Sequence, residues 1–157
     1  MIFLRSIGSV RSLRHFSSSG PLTLKTGDVF TKKRVFSNED VINYSKVSHD
    51  SNPVHFDAEC ARTLGFEDCL VHGMLVAALF PRIISSNFPG AIYVSQSLQF
   101  KSPVYVGEEI SGEVQATNIR KMKDKSLVKF STKCFKKGEH LVIDGEAVAI
   151  FPSLSGE

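Results

Sequence analysis

The 157-residue chain has no tryptophan, only three cysteines, and no acidic residue before Asp28. The missing tryptophan excludes nothing about function. Cys60, Cys69 and Cys134 form no C-x-x-C pair. An odd, scattered count fits reduced thiols in an intracellular compartment, acting as small hydrophobes. No window approaches the roughly 18 apolar residues of a membrane-spanning helix. The glycines form no G-x-G-x-x-G, phosphate loop or G-x-S-x-G elbow. Dinucleotide or nucleotide cradling and acyl-serine chemistry at Ser48 or Ser51 therefore lack their usual frame. There is no internal repeat.

Charge is unevenly placed. Formal net charge is +3, from 19 bases and 16 acids. Arg5, Arg11 and Arg14 fall in residues 1–20 without any acid, so the remaining chain is balanced. A neutral body gives no global electrostatic case for nucleic-acid binding. The first 20 residues mix arginine with Ile, Phe, Leu, Val and serine, the composition of a mitochondrial transit peptide, with a plastid as the alternative. Arg14-His15-Phe16-Ser17 resembles a matrix-protease site. Residues 21–157 have the length and composition of one globular domain, with 42% hydrophobic residues to build a core.

Along that body, Pro21 to Thr26 reads as a linker and Val29 to Phe36 as a first strand. Ser37 reads as an N-cap, and Val41, Tyr44 and Val47 then share a helix face. Asp57 caps a further short helix, which Gly65 ends. Met74 to Phe80 is uninterrupted apolar sequence, which predicts a helix buried on all sides. Pro81 predicts a kink or change of pitch in it. Residues 92–100 alternate, and Ile110 to Ile119, Leu127 to Phe135 and Leu141 to Phe151 are further strands. One strand, helices, then four strands predicts an α+β fold with an antiparallel sheet around one helix.

The chemistry concentrates in two stretches, Asp50-Ser51-Asn52-Pro53-Val54-His55 and Val71-His72-Gly73-Met74. Asp50 and His55 can converge across a turn at Asn52-Pro53 and form a proton-transfer pair near neutral pH. The competing reading makes Asp50 or Asn52 an Asx-type turn and His55 a satisfied, partly buried histidine. Gly73 either lets a buried helix start in a tight space or offers its N–H to a developing anion. His49, His55 and His72 match no standard zinc spacing. Arg120, Lys121, Lys123 and Lys125 form a basic cluster, either a solvated face or a contact for an acidic carrier protein or nucleotide phosphate.

These two stretches, with Tyr93 to Lys101, Pro103 and Val106-Gly107-Glu108, resemble the (R)-specific enoyl-thioester hydratases, also called MaoC-like dehydratases. The resemblance spans roughly Val29 to Phe151. It implies a hotdog fold, a curved antiparallel sheet around a buried central helix, working as a homodimer. It implies Asp50 and His55 as the catalytic pair, Gly73 N–H as the oxyanion donor, and Asn52 and Pro53 as shaping residues. The implied reaction is reversible elimination of water from a (3R)-hydroxyacyl thioester, on acyl carrier protein in fatty acid synthesis or on CoA in degradation. A non-catalytic hotdog module that only binds acyl thioesters is the reading from another class. No cofactor or metal is implied. Relatives place a serine about two turns into the central helix, where this chain has Phe80-Pro81.

Overall fold

The computed structural model describes residues 23–152. The expected leader lies outside the described residues. The elements run β1 (Val29–Val35), α1 (Asn38–Ser48), a 3-10 turn (Pro53–His55), α2 (Ala58–Thr63), α3 (Gly73–Ala77), α4 (Leu79–Asn87), β2 (Ile92–Phe100), β3 (Glu109–Lys121), β4 (Lys125–Lys136) and β5 (His140–Pro152). The five strands form one antiparallel sheet in the order β1-β3-β4-β5-β2. This is the hotdog architecture, α+β.

Local chemistry sets most boundaries. Ser37 accepts from Asp40 N while the Asp40 carboxylate accepts from Ser37 N, a reciprocal capping box worth about 1 kcal/mol. Asp57 caps α2 by accepting from Glu59 N and Cys60 N. Gly65, at φ +90°, turns the chain away after it. Pro81 has no N–H for the Ala77 carbonyl, and the central helix is interrupted at Ala78, between α3 and α4. The expected change of pitch is therefore a break one turn before the proline.

The central helix is buried along one broad face: Val76, Ala77, Leu79, Phe80, Ile83 and Ile84 all contact the core. Met74 is 56% exposed and Ala78 is also exposed, which corrects the expectation of burial on all sides. A single five-stranded sheet covers only one side of a helix. Gly112 on β3 lets Leu79 and Ile83 approach, since a Cβ there would lie 3.1 Å from Ile83 Cδ1.

Three other expectations also change. Val47 is exposed, so the α1 face contributes only Val41 and Tyr44. Leu24, expected in a linker, packs against the core. A bulge between Tyr93 and Ser95 switches the alternation of β2. Tyr93 and Leu98 face the core as a result, while Ile92 and Val94 are exposed on an edge strand.

Candidate active site

The loop after α1 begins with a left-handed residue, His49 at φ 61°, whose N–H bonds Ser45 O at 2.8 Å. This terminates the helix and redirects the chain, at the strain cost of a non-glycine residue in that region. Asp50 Oδ1 then accepts from Asn52 N at 3.2 Å, and Asn52 Oδ1 accepts from Val54 N at 3.3 Å. Pro53 fits the first position of the following 3-10 turn, where an N–H has no partner to lose. The two carboxylate oxygens of Asp50 thus have different surroundings. Oδ1 builds the Asx turn, and Oδ2 faces His55 Nε2 at 3.9 Å. That gap is too long for a direct hydrogen bond, yet an oxygen atom between the two groups can contact both.

The segment Leu70–Gly73 acts as the ruler for this pair. It is fixed by Leu70 N to Val54 O at 3.0 Å, Val71 N to Val104 O at 2.8 Å, and a bridge between Leu70 and Tyr105. His55 Nδ1 lies 2.8 Å from Leu70 O. A carbonyl can only accept, so Nδ1 carries the proton and neutral His55 presents a bare Nε2 toward Asp50. His55 is only 11% exposed against 50% for the Asp50 side chain, giving one sheltered and one solvated partner.

His72, two residues after Leu70, is fully buried. Its ring stacks on His55 with centroids 3.7 Å apart and planes at 26°. Its Nε2 lies 3.1 Å from the Asp50 carbonyl and so carries the proton, while Nδ1 has no partner. Tyr44 of α1 flanks the ring at 4.8 Å. Burial holds His72 below the usual histidine range. Its bond to the Asp50 carbonyl opposes this, and the neighbouring His55 adds to it.

Gly73 opens α3, where first-turn N–H groups have no intrahelical acceptor. The Phe100 ring occupies the space of its absent side chain: a Cβ would lie 2.7 Å from Phe100 Cε1. Asp50, His55, His72 and Gly73 share the wall of a cavity of about 470 Å³, whose other walls are largely apolar and include Val76, Phe100, Val104 and Ile143. That volume suits a small acyl ligand. The arrangement can move protons at one face of a carbonyl compound while an N–H faces its oxygen.

Other expected participants stand elsewhere. Arg120, Lys121, Lys123 and Lys125 lie at the β3–β4 hairpin, level with Pro152 on β5. The cavity reaches Ile143, nine residues back along that strand, or about 30 Å. Phe80 is buried in the core and neither it nor Pro81 lines the cavity. His49 is exposed. Asp50, His55 and His72 bring ligand-type atoms within 4.8 Å of one another. However, stacked imidazoles hold their lone pairs in near-parallel planes only 3.7 Å apart, which makes it hard for one ion to lie in both planes, and His72 Nε2 is occupied. This geometry fits proton transfer better than metal coordination. Spacing alone treats His72 only as a possible ligand. The available signal was a polar residue at the mouth of an apolar run, which must find a partner once buried.

The family described as "MaoC like domain" matches residues 22–136. The chain is 63% identical over 144 residues to "3-hydroxyacyl-[acyl-carrier-protein] dehydratase, mitochondrial" of Arabidopsis thaliana, covering 90% of this chain and 87% of that protein. It is 61% identical over 138 residues to the mitochondrial 3-hydroxyacyl-[acyl-carrier-protein] dehydratase FERN of Solanum lycopersicum, covering 88% and 84%. Among solved structures, an (R)-hydratase from A. caviae involved in PHA biosynthesis superposes with a TM-score of 0.77 at 37% identity, covering 83% of this chain and 98% of that one.

Proposed function

The chain belongs to the MaoC-like dehydratase family, and from that premise we propose that it is a (3R)-hydroxyacyl-[acyl carrier protein] dehydratase of mitochondrial fatty acid synthesis. It removes water reversibly to give the trans-2-enoyl thioester. The observation that carries this reading is the placement of Asp50 Oδ2 and His55 Nε2, 3.9 Å apart, on the wall of an apolar cavity that Gly73 also lines.

In this reading the acyl chain occupies the apolar part of the cavity and the thioester oxygen faces Gly73 N–H. Loss of the weakly acidic α-proton builds negative charge on that oxygen. One well-aimed donor is worth about 3–4 kcal/mol there. Asp50 and His55 approach from one side and share the two proton transfers, at the α-carbon and at the leaving hydroxyl. A single face for both matches syn elimination. Neutral His55 can accept a proton at Nε2 because Leu70 O keeps the other proton on Nδ1. Asn52 and Pro53 shape the turn.

Hydration of a short enoyl thioester tests the reading. Asp50→Asn and His55→Ala are each expected to lower kcat by roughly 10²–10⁴-fold. Equal, very slow rates in the wild type and both variants would instead leave a binding module. A second reading, an (R)-specific enoyl-CoA hydratase, is favoured by likeness to the A. caviae (R)-hydratase. Matched carrier-protein and CoA substrates separate the two, and a strong CoA preference would sink the first.

Three finer assignments belong to the same proposal. Residues 1–20 direct the chain to the mitochondrial matrix, as the names of its relatives support; unchanged import after replacing Arg5, Arg11 and Arg14 refutes this. The chain works as a homodimer through its β2 edge, supported by exposed Ile92 and Val94 on an edge strand; a monomer by sedimentation refutes it. Arg120, Lys121, Lys123 and Lys125 meet the body of the carrier protein rather than the thioester, given their distance from the cavity.

A further inference from the structure

We propose that His72 is a positioning residue that holds the Asp50–His55 pair in register. The inference rests on the catalytic reading of that pair. Asp50 needs such support. Its side chain is half exposed, it follows a left-handed turn, and its contact with His55 is long. The bonds that steady it from nearby residues, Asp50 N to Ser48 Oγ at 3.2 Å and Asn52 N to its Oδ1, reach only the last residue of α1 and the same loop. The Asp50 carbonyl is instead tied to His72 Nε2, from the buried entrance of the central helix.

The same ring backs His55 at 3.7 Å, so one side chain limits both partners. Leu70 O fixes the His55 ring at Nδ1, and His72 covers its face. Nothing in packing alone requires histidine. Phenylalanine would fill a similar volume and stack equally well, without leaving a buried Nδ1 unpaired. What phenylalanine lacks is the N–H that reaches the Asp50 carbonyl.

A mutant cycle in the full-length chain tests this, using hydration of a short enoyl thioester with folding followed by circular dichroism. His72→Phe is expected to lower kcat roughly tenfold to a hundredfold with KM nearly unchanged, because the acyl walls stay in place while the pair drifts. His72→Gln keeps an amide donor and should recover part of the loss. Combined with Asp50→Asn, His72→Phe should add little, since a residue acting through Asp50 has nothing left to position. Fully additive losses, or wild-type kcat in His72→Phe, overturn the proposal. If His72→Phe does not fold, His72→Leu, which also lacks the N–H, carries the same cycle. Full activity in Asp50→Asn alone would instead refute the catalytic reading of the pair.

Discussion

Gly73→Ala separates the demands of the fold from those of the site. A Cβ at this position would stand 2.7 Å from Phe100 Cε1 and 3.0 Å from Cδ1. Carbon–carbon contacts settle near 3.5–4.0 Å, so the ring must withdraw by about 1 Å. Phe100 is 54% exposed and has room to tilt, at a cost of about 0.5–1.5 kcal/mol. Alanine returns at most about 1 kcal/mol of helix propensity, because residue 73 is the first helical position. The net change in stability is within about 1 kcal/mol, or roughly 2–4 °C in Tm at this chain length. Activity should respond far more. Phe100 and Gly73 N–H border the same cavity, and a 1 Å displacement beside the reacting group costs about 10²-fold in kcat. The assay pairs a thermal melt with loss of enoyl-thioester absorbance on hydration. Wild-type kcat in a folded Gly73→Ala variant would refute the reasoning. Gly73→Ala combined with Phe100→Ala removes the clash and shows whether the ring or the methyl group is responsible.

Three further outcomes follow from the geometry. Gly145 on β5 has no room for a Cβ, which would collide with the backbone carbonyl of Ser97 on β2; Gly145→Ala should cost about 3 kcal/mol in urea unfolding, and a loss under about 1 kcal/mol contradicts the packing. Lys136 Nζ bonds Pro103 O at 2.6 Å and pairs with Glu108 at 3.2 Å, both side chains being largely buried. Lys136→Met strands that carboxylate and should cost about 3 kcal/mol, partly recovered by adding Glu108→Gln; no recovery refutes the charge explanation. The folded state binds a proton at His72 less readily than the unfolded chain, so that contribution to stability is complete above the usual value of 6.5 and declines as pH falls below it. The groups facing His72 are His55, Asp50 and Tyr44. Asp40, also lowered, acts only as pH falls below 3.8. Between those values, Tm should fall less steeply in His72→Phe than in wild type; identical slopes refute the assignment.

Elements governed by neighbouring residues were legible in the sequence. Ser37, Asp57 and Gly65 bound their helices as expected, because a cap or a left-handed glycine acts within three or four residues. Strands β3 and β4 followed their hydrophobic alternation, and Pro81 announced a disturbance of the central helix. Features set by distant partners were not legible. Val47 continues the apolar spacing of α1 yet meets solvent, and Met74 is as apolar as its neighbours yet faces away from the sheet. The bulge at Val94 depends on its register with Val148 and Ala149. His72 gave no sign of its carbonyl partner 22 residues earlier.

The sequence by itself determined the sheet-and-helix order, a disturbance of the central helix near Pro81, and a turn at Asn52-Pro53 between an acid and a histidine. All of these rest on short-range backbone preferences or on periodicity. Only the tertiary structure decided that Leu70 O sets the tautomer of His55 and that His72 both ties Asp50 and backs His55. It also decided that the Phe100 ring fills the space beside Gly73 and that the basic hairpin stands at the far end of the sheet from the cavity. These relations join residues 15 to 27 positions apart or lie along strand registers, where distance in space is set by packing and not by spacing in the chain.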